Sequence, residues 1–556
     1  MSLNHSEHSH EEVESIPDNP VPTFFRWVMP SIGDLLFIMI FLLLLSLGAR
    51  LLDDGDTGWH IRIGEQIWKT FSIPHQDLYS YTMPDQPWFA WGWLSDVIFA
   101  VVHKILGLNG IVILSALIFS LTFSLLFRFL LKQGTDLILS AILVIIAASA
   151  STLHCLARPH IFSLLLTLIW FWLLDQYQTQ GKKYLYFLPL IMLFWVNLHG
   201  GFVSGFIILF IYLLGNLLTY MTGSHKPDKL RARAQLKSFA LTGALCLVVA
   251  ICLNPYGYKL FTHIYESYLG STFLRDYTME FKSPDFHAGL GYKMYAILIL
   301  LIIMAFGVSL SRTNFVEIGL IITWTYMSLY SARNIPLFAI IAAPIIGRHA
   351  EVFFNSSDMQ ARLSPWLRSF LNRFFALSRR TRVSNDLFNK HLLAITAVLI
   401  VGMIGLNGGK VRGKGLFSFN FDSQRFPVAA LEFIKPNKIR GNMFNEMGWG
   451  GFLIYALYPE YKVFIDGRGD MYGGDFAKTY TQVAWVKAGW KEVLHKYNVN
   501  WVIYPANSQL SVLLIESKDW KLIYADRVAN IFVRNIPQNE GLIKKYPAAE
   551  LAVDER

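Results

Sequence analysis

Between residues 34 and 406 the chain is a succession of apolar runs separated by short polar loops. The runs begin near residues 34, 109, 136, 160, 184, 201, 237, 293, 314, 334 and 391. Several hold only about 15–18 residues, near the lower limit for crossing the hydrocarbon core of a bilayer. A further run, Leu94–Leu106, is too short to cross and carries Asp96, His103 and Lys104. That pattern predicts a helix lying along the interface, with the first outer loop taken as 53–108. An odd number of spans, about eleven, then puts the two termini on opposite sides. Beyond about residue 407 the pattern changes. Short β-rich runs appear at Asn442–Phe444, Lys462–Asp466, Trp501–Tyr504, Lys521–Tyr524 and Asn530–Val533. Helix-like stretches lie between them, around Ala429–Ile434 and from Lys478 to Tyr497, and this alternation predicts a small α/β domain.

The expected architecture is an α-helical polytopic membrane protein, with about eleven transmembrane helices over residues 31–406 and a C-terminal soluble α/β domain over residues 407–556. Residues 1–30 are polar and rich in His and Glu, which predicts a disordered cytoplasmic tail. His5, His8 and His10 within it could hold a metal only weakly. The first span reads as an uncleaved signal-anchor. Composition fits a membrane protein: 54% of residues are hydrophobic, more than soluble domains carry. Cys155, Cys246 and Cys252 lie in or beside apolar runs, which excludes a disulfide framework or a Cys-based zinc site in the C-terminal domain.

The net charge of +10 would suit a nucleic-acid partner, but the basic residues sit mainly in short loops between spans, where they set orientation. With the N-terminus cytoplasmic, the inner loops carry Arg128, Lys132, Lys182, Lys183, Lys226, Lys229, Arg231, Arg233 and Arg312. The last inner loop adds Arg348, Arg362, Arg368, Arg373, Arg379, Arg380 and Arg382. The outer loop at 53–93 holds only Arg62 and Lys69, against several acids. This is a positive-inside pattern for a multi-pass protein of the cytoplasmic membrane, with its C-terminal domain periplasmic or extracellular. Arg50, at the outer end of the first span, runs against it.

That orientation brings the unusual polar motifs to one face. Asp53-Asp54-Gly55-Asp56 leads into Trp59-His60, and Arg158 and His160 flank Pro159. Asn197 and His199 precede Gly200-Gly201, Glu280 and Asp285 flank Pro284, and Arg333 stands before Pro336. Asn254-Pro255-Tyr256-Gly257 falls on the same side. Carboxylates at a membrane boundary are costly and are seldom kept without work to do. Asp54 and Asp56, one residue apart, suit a general base or joint ligands for Mg²⁺ or Mn²⁺. Arg158 and Arg333 suit the oxygens of a lipid phosphate, and His160 the same anion. Trp59 and His60, with Asn197, His199, Glu280 and Asp285, complete a candidate substrate site; Trp88, Trp91 and Trp93 could stack on a sugar. In the C-terminal domain, Asp466-Gly467-Arg468 forms a Gly-rich turn at a predicted strand end, a common ligand position, here for the acceptor or as a lid.

The Asp-x-Asp in the first outer loop, the helix beginning near Trp93-Leu94-Ser95-Asp96, the many spans and the outer α/β tail together resemble the GT-C superfamily of integral-membrane glycosyltransferases. The nearest resemblance is to bacterial proteins related to protein O-mannosyltransferases and the aminoarabinose transferase of lipid A. They carry Asp-x-Asp-x-x-Trp-His in the first loop and Phe-x-Asp-x-Arg in the tail, as at Asp54–His60 and Phe464–Arg468 here. The resemblance implies a polyprenyl-phosphate sugar donor, an acceptor that is a protein, lipid or polysaccharide, and transfer with inversion. It puts Asp54 or Asp56 in the catalytic acidic position and Arg158 or Arg333 on the donor phosphate. Such relatives often have an acid before the Trp-Leu pair where this chain has Gly92, which leaves Glu280 or Asp285 to supply a second carboxylate. Two other classes compete with a transferase: a transporter or flippase for a lipid-linked or anionic substrate, and a non-catalytic cell-surface assembly protein. Span centres nearly free of ionisable residues and the lack of an obvious internal repeat count against transport.

Overall fold

A chain in hydrocarbon must pair its own amides, so apolar runs of this length settle as helices. The computed structural model describes residues 22–266, 278–309, 314–354, 356, 361, 363–388 and 390–547. Most of the expected N-terminal tail, with His5, His8 and His10, lies outside the described residues, as do Arg312 and Arg362; residues 22–30 are described and include the short helix Thr23–Val28.

The helical part runs α1 (Ile32–Ser46), α2 (Asp56–Thr70), α3 (Trp93–Gln133), α4 (Leu137–Ser151), α5 (His160–Gln180), α6 (Phe187–Leu198), α7 (Phe202–Thr222) and α8 (Lys226–Cys252). It continues with α9 (Leu290–Ser309), α10 (Phe315–Tyr330), α11 (Ile335–Phe354), α12 (Pro365–Leu387) and α13 (Leu392–Leu406). Among the described residues, seven helices are long and apolar enough to cross a membrane, and α12 with α13 makes an eighth if the two form one bent span. The remaining expected spans correspond to α1, α6 and α10, which are apolar but only 15, 12 and 16 residues long.

Caps fix where several helices start. Ser31 and Asp34 form a capping box at α1, and the Asp136 carboxylate accepts the amides of Ile138 and Leu139 at α4. The stretch at 94–106 is the first part of α3, which breaks at Gly107, where φ is +62°. Its polar residue Asp96 is buried against α2. Gly64 of α2 makes that approach possible, because a side chain there would collide with the Asp96 backbone. At the far end of α5, Arg348 of α11 joins Asp175 at 2.7 Å and Glu317 of α10 at 2.5 Å, tying three helices together.

The C-terminal domain comprises α14 (Val428–Asn437), β1 (Asn442–Asn445), α15 (Gly450–Leu457), α16 (Gly469–Ala484), α17 (Trp490–Lys496), β2 (Val499–Pro505), β3 (Trp520–Ala525) and β4 (Ala529–Arg534). The sheet order is β1-β2-β4-β3, with β1 parallel to β2 and the other pairs antiparallel. Central β2 is buried almost throughout, as its run Val499-Asn500-Trp501-Val502-Ile503-Tyr504 demands. Two expectations change. The stretch from Lys478 to Tyr497 is two helices, because the chain turns through positive φ at Val486 and Gly489. Lys462–Asp466 is extended but does not join the sheet. Its backbone bonds go to the loop after α2 and to an Asn side chain of β1 instead: Val463 N–H donates to Tyr79 O at 3.0 Å, Tyr81 N–H donates to Val463 O at 3.2 Å, and Phe464 N–H donates to Asn445 Oδ1 at 2.8 Å. The C-terminal domain is thus stitched into the loop that follows the first span.

Candidate active site

Asp56 is the first residue of α2 and Asp54 lies in the turn before it, where its carboxylate accepts the Asp56 amide at 2.9 Å, so a local turn sets their spacing. Arg158 reaches them from the loop before α5. That loop is held in place because Ala157 N–H donates to Leu51 O at 2.7 Å and the Thr57 hydroxyl donates to Ala157 O at 2.9 Å. The guanidinium lies between the two acids, 2.7 Å from Asp54 Oδ2 and 3.2 Å from Asp56 Oδ2. Glu280 approaches from the other side, with an oxygen 3.8 Å from Arg158 and the second 3.6 Å from Arg333. Glu280 also lies 3.4 Å from His154 Nδ1, and its backbone carbonyl accepts the Ser331 hydroxyl at 3.0 Å. The result is an alternating row of charges, acid–arginine–acid–arginine, across the mouth of the bundle.

These groups line a cavity of about 330 Å³. Trp59, His60, Trp88, Trp91, Gly92, Asp96, His160, His199 and Gly200 share the wall from the bundle side. The C-terminal domain contributes Met447, Gly448 and the turn from Asp466 to Asp470. Residues far apart in sequence therefore meet at one site. Asn197 and Asp285 do not join it. The Asn197 amide is buried as a helix tie, accepting Trp93 Nε1 at 2.8 Å and donating to Leu193 O at 2.8 Å and Leu253 O at 3.2 Å. Asp285 is exposed and accepts the amide of His287 in a local turn. Asp466 and Arg468 line the cavity but are paired with each other at 2.8 and 2.6 Å, the Tyr472 hydroxyl also donating to Asp466 at 2.9 Å and Asp77 lying 2.7 Å from Arg468. Asp96 and His154 enter the site without having been singled out for it. The one signal for Asp96 was a carboxylate inside an apolar run.

Protonation follows from burial. Desolvation first, then the neighbouring Asp54 charge, pushes Asp56 up to about 7, against the pull of Arg158. Burial also pushes Glu280 up, but Arg333 and then Arg158 outweigh it and hold this carboxyl below its usual range. His199 is kept neutral by burial and by the positive field of Arg333. Its Nδ1 accepts the Gly201 amide at 3.0 Å, so the ring proton sits on Nε2. His60 is likewise held low, by burial and then Arg158, while its Nδ1 lies 2.5 Å from Asp96 Oδ1.

The oxygen donors at Asp54 and Asp56 bear on the expected Mg²⁺ or Mn²⁺. Hard divalent cations want several oxygen ligands, whereas an arginine bridges Asp54 and Asp56 here. Among the described residues no group of three His, Cys, Asp or Glu is arranged to hold a metal ion. The residues as placed do not fit a divalent cation.

No family model matches the sequence, and no curated protein sequence matches it. Solved structures do. The oligosaccharyltransferase of Archaeoglobus fulgidus in its apo form superposes with a TM-score of 0.50 over 90% of this chain and 75% of its own, at 12% identity. Archaeal oligosaccharyltransferase AglB from the same organism, in complex with an inhibitory peptide and a dolichol-phosphate, gives 0.51 over 84% and 69%, at 11% identity. The chain has the GT-C fold. ArnT from Cupriavidus metallidurans bound to undecaprenyl phosphate also matches, with a TM-score of 0.46 and 11% identity over 90% of this chain and 98% of that one. At these identities the likeness is one of chain path alone.

Proposed function

We propose that the protein is a membrane glycosyltransferase that moves a sugar from a polyprenyl-phosphate-linked donor to an acceptor at the outer face of the cytoplasmic membrane. The observation that carries this reading is the row Asp54/Asp56–Arg158–Glu280–Arg333 at one end of an apolar bundle. It places a carboxyl of near-neutral proton affinity beside cations suited to phosphate oxygens. The GT-C fold supports it, and one structure sharing that fold holds a dolichol-phosphate.

In this reading the acceptor hydroxyl gives its proton to Asp56 while its oxygen attacks the anomeric carbon. The bond from that carbon to the phosphate oxygen breaks, and the lipid phosphate leaves with the electron pair. Arg158 and Arg333 balance the charge that gathers on it, and His199 Nε2–H donates to one of its oxygens. Displacement in one step from the opposite face inverts the sugar carbon. Asp54 orients Arg158, and Trp59 and Trp91 offer aromatic faces to the sugar. The basic loops expected on the inner side support a mouth that opens to the outer face.

The test is a transfer assay on the full-length protein in nanodiscs, with radiolabelled polyprenyl-phosphate sugars and membrane extract from cells lacking the protein, with and without EDTA. Labelled product that disappears in Asp54→Asn/Asp56→Asn supports the reading. Absence of product with every donor, from folded protein, moves the function to transport or assembly.

A further inference from the structure

The Asp466–Gly469 turn meets the bundle at the candidate base. A Cβ added at Gly467 would lie 2.5 Å from both Cγ and Oδ2 of Asp56, so only glycine leaves room for that carboxyl. The backbone on either side of this contact is equally close. A Cβ at Gly55 would lie 2.5 Å from Gly448 O, and one at Gly58 would lie 2.5 Å from Gly451 O. The first turn of α2 and the start of α15 therefore meet main chain to main chain.

The residue that fixes the turn is Arg468. Its side chain is 1% exposed and forks between two carboxylates that are 0% exposed, Asp466 of the C-terminal domain and Asp77 of the first outer loop. The contacts are 2.6 Å to Asp466 Oδ2 and 2.7 Å to Asp77 Oδ1. The guanidinium lies over the rings of Tyr79 and Trp88, both from the same loop. Asp77 is itself fixed by the amides of Tyr79 and Ser80, at 3.0 and 2.9 Å. A planar, two-sided cation is what such a joint requires, since an ammonium serves one carboxylate well but not two in a fixed plane.

We propose that the C-terminal domain is the built-in roof of the reaction pocket, and that Gly467 and Arg468 are positioning residues that seat Asp56. The first outer loop supplies the reacting carboxyl. The tail supplies the surface it rests on, and Arg468 locks one to the other. The inference rests on the transferase reading only for the chemistry assigned to Asp56; the seam is a matter of geometry.

The experiment uses the full-length protein in nanodiscs and three variants. Gly467→Ala puts a methyl into the carboxyl's seat, and Arg468→Lys keeps the charge but loses the fork. Gly474→Ala is the control, since nothing lies within 4 Å of a Cβ there. Hydrogen exchange of residues 53–62 is expected to rise about tenfold or more in Gly467→Ala and Arg468→Lys, and to stay unchanged in Gly474→Ala. With a donor that the wild type uses, Gly467→Ala is expected to lose about a hundredfold in kcat, since a carboxyl misplaced by about an ångström costs that much. Its KM for the donor should stay within about threefold, because the phosphate cations stand on the bundle. Unchanged exchange in both test variants overturns the proposal whatever the transfer assay gives, and so does faster exchange with an unchanged kcat. Faster exchange in a wild-type background that transfers no sugar leaves the seam standing and overturns the transferase reading.

Discussion

Replacing Arg468 by Met removes the one cation between two fully buried carboxylates, Asp466 and Asp77. In the native protein this trio carries one net negative charge. Without the guanidinium it would carry two in the same enclosed space, an outcome a low-dielectric site avoids by binding a proton. From an ordinary aspartate value near 3.9, that proton costs about 4 kcal/mol at pH 7 and about 1.5 kcal/mol at pH 5, at about 1.36 kcal/mol per unit. The Met side chain replaces much of the lost packing over Tyr79 and Trp88, so the electrostatic cost dominates. The sign follows from linkage. The carboxyl that takes the proton has a native value raised above its unfolded one, so the destabilisation grows with rising pH and fades toward pH 4. Pulse proteolysis of the C-terminal domain across a urea series, on wild type and Arg468→Met at pH 5, 6 and 7, measures it. A destabilisation below about 1 kcal/mol at pH 7, or one that does not change with pH, would refute the picture of a buried trio held by one charge.

Other outcomes follow from the site. Asp56→Asn should lower transfer by about 10²–10⁴-fold, as expected for loss of a general base. Because Asp56 is pushed up to about 7, the wild-type rate should climb through pH 7 and level off above it; a flat profile from pH 5.5 to 8 would remove Asp56 from that role. Arg333→Met should reduce kcat/KM for the donor by about tenfold to a hundredfold, the worth of one charged hydrogen bond, whereas Asp285→Asn should leave transfer within about twofold. Equal losses in the two variants would contradict the placement of Asp285 outside the cavity. Single cysteines at His225 and Asp475, both exposed, should react with a membrane-impermeant maleimide from opposite sides, with 225 protected in intact cells. Labelling of 225 from outside would invert the topology and place the cavity in the cytoplasm.

Much of this could be read along the chain, because the strongest constraints are local. Apolar runs specify helices wherever they occur, since amides without water must bond within the helix. Asp-x-Asp before Trp-His, and Arg beside Pro at helix mouths, stood out because charge at a membrane boundary is expensive. The β2 and β4 strands were visible as short runs rich in β-branched and aromatic residues. What could not be read was which lone residues face one another. Asn197 and Arg333 were both candidate site residues at helix ends, yet one is a buried helix tie and the other lines the cavity. Lys462–Asp466 has the composition of a strand, but its partners are loop residues some 380 positions earlier, beyond any local pattern.

By itself, then, the sequence determined the apolar bundle, the change to an α/β tail and the types of group available for chemistry, all set by hydrophobicity, periodicity and the cost of charge in lipid. Only the tertiary structure decided that Arg158 stands between Asp54 and Asp56, that Glu280 bridges toward Arg333, and that the tail packs against Asp56 and Asp77 through Gly467 and Arg468. These contacts join segments from roughly fifty to roughly four hundred residues apart. Their distances depend on how the helices pack, and no single segment's chemistry encodes that.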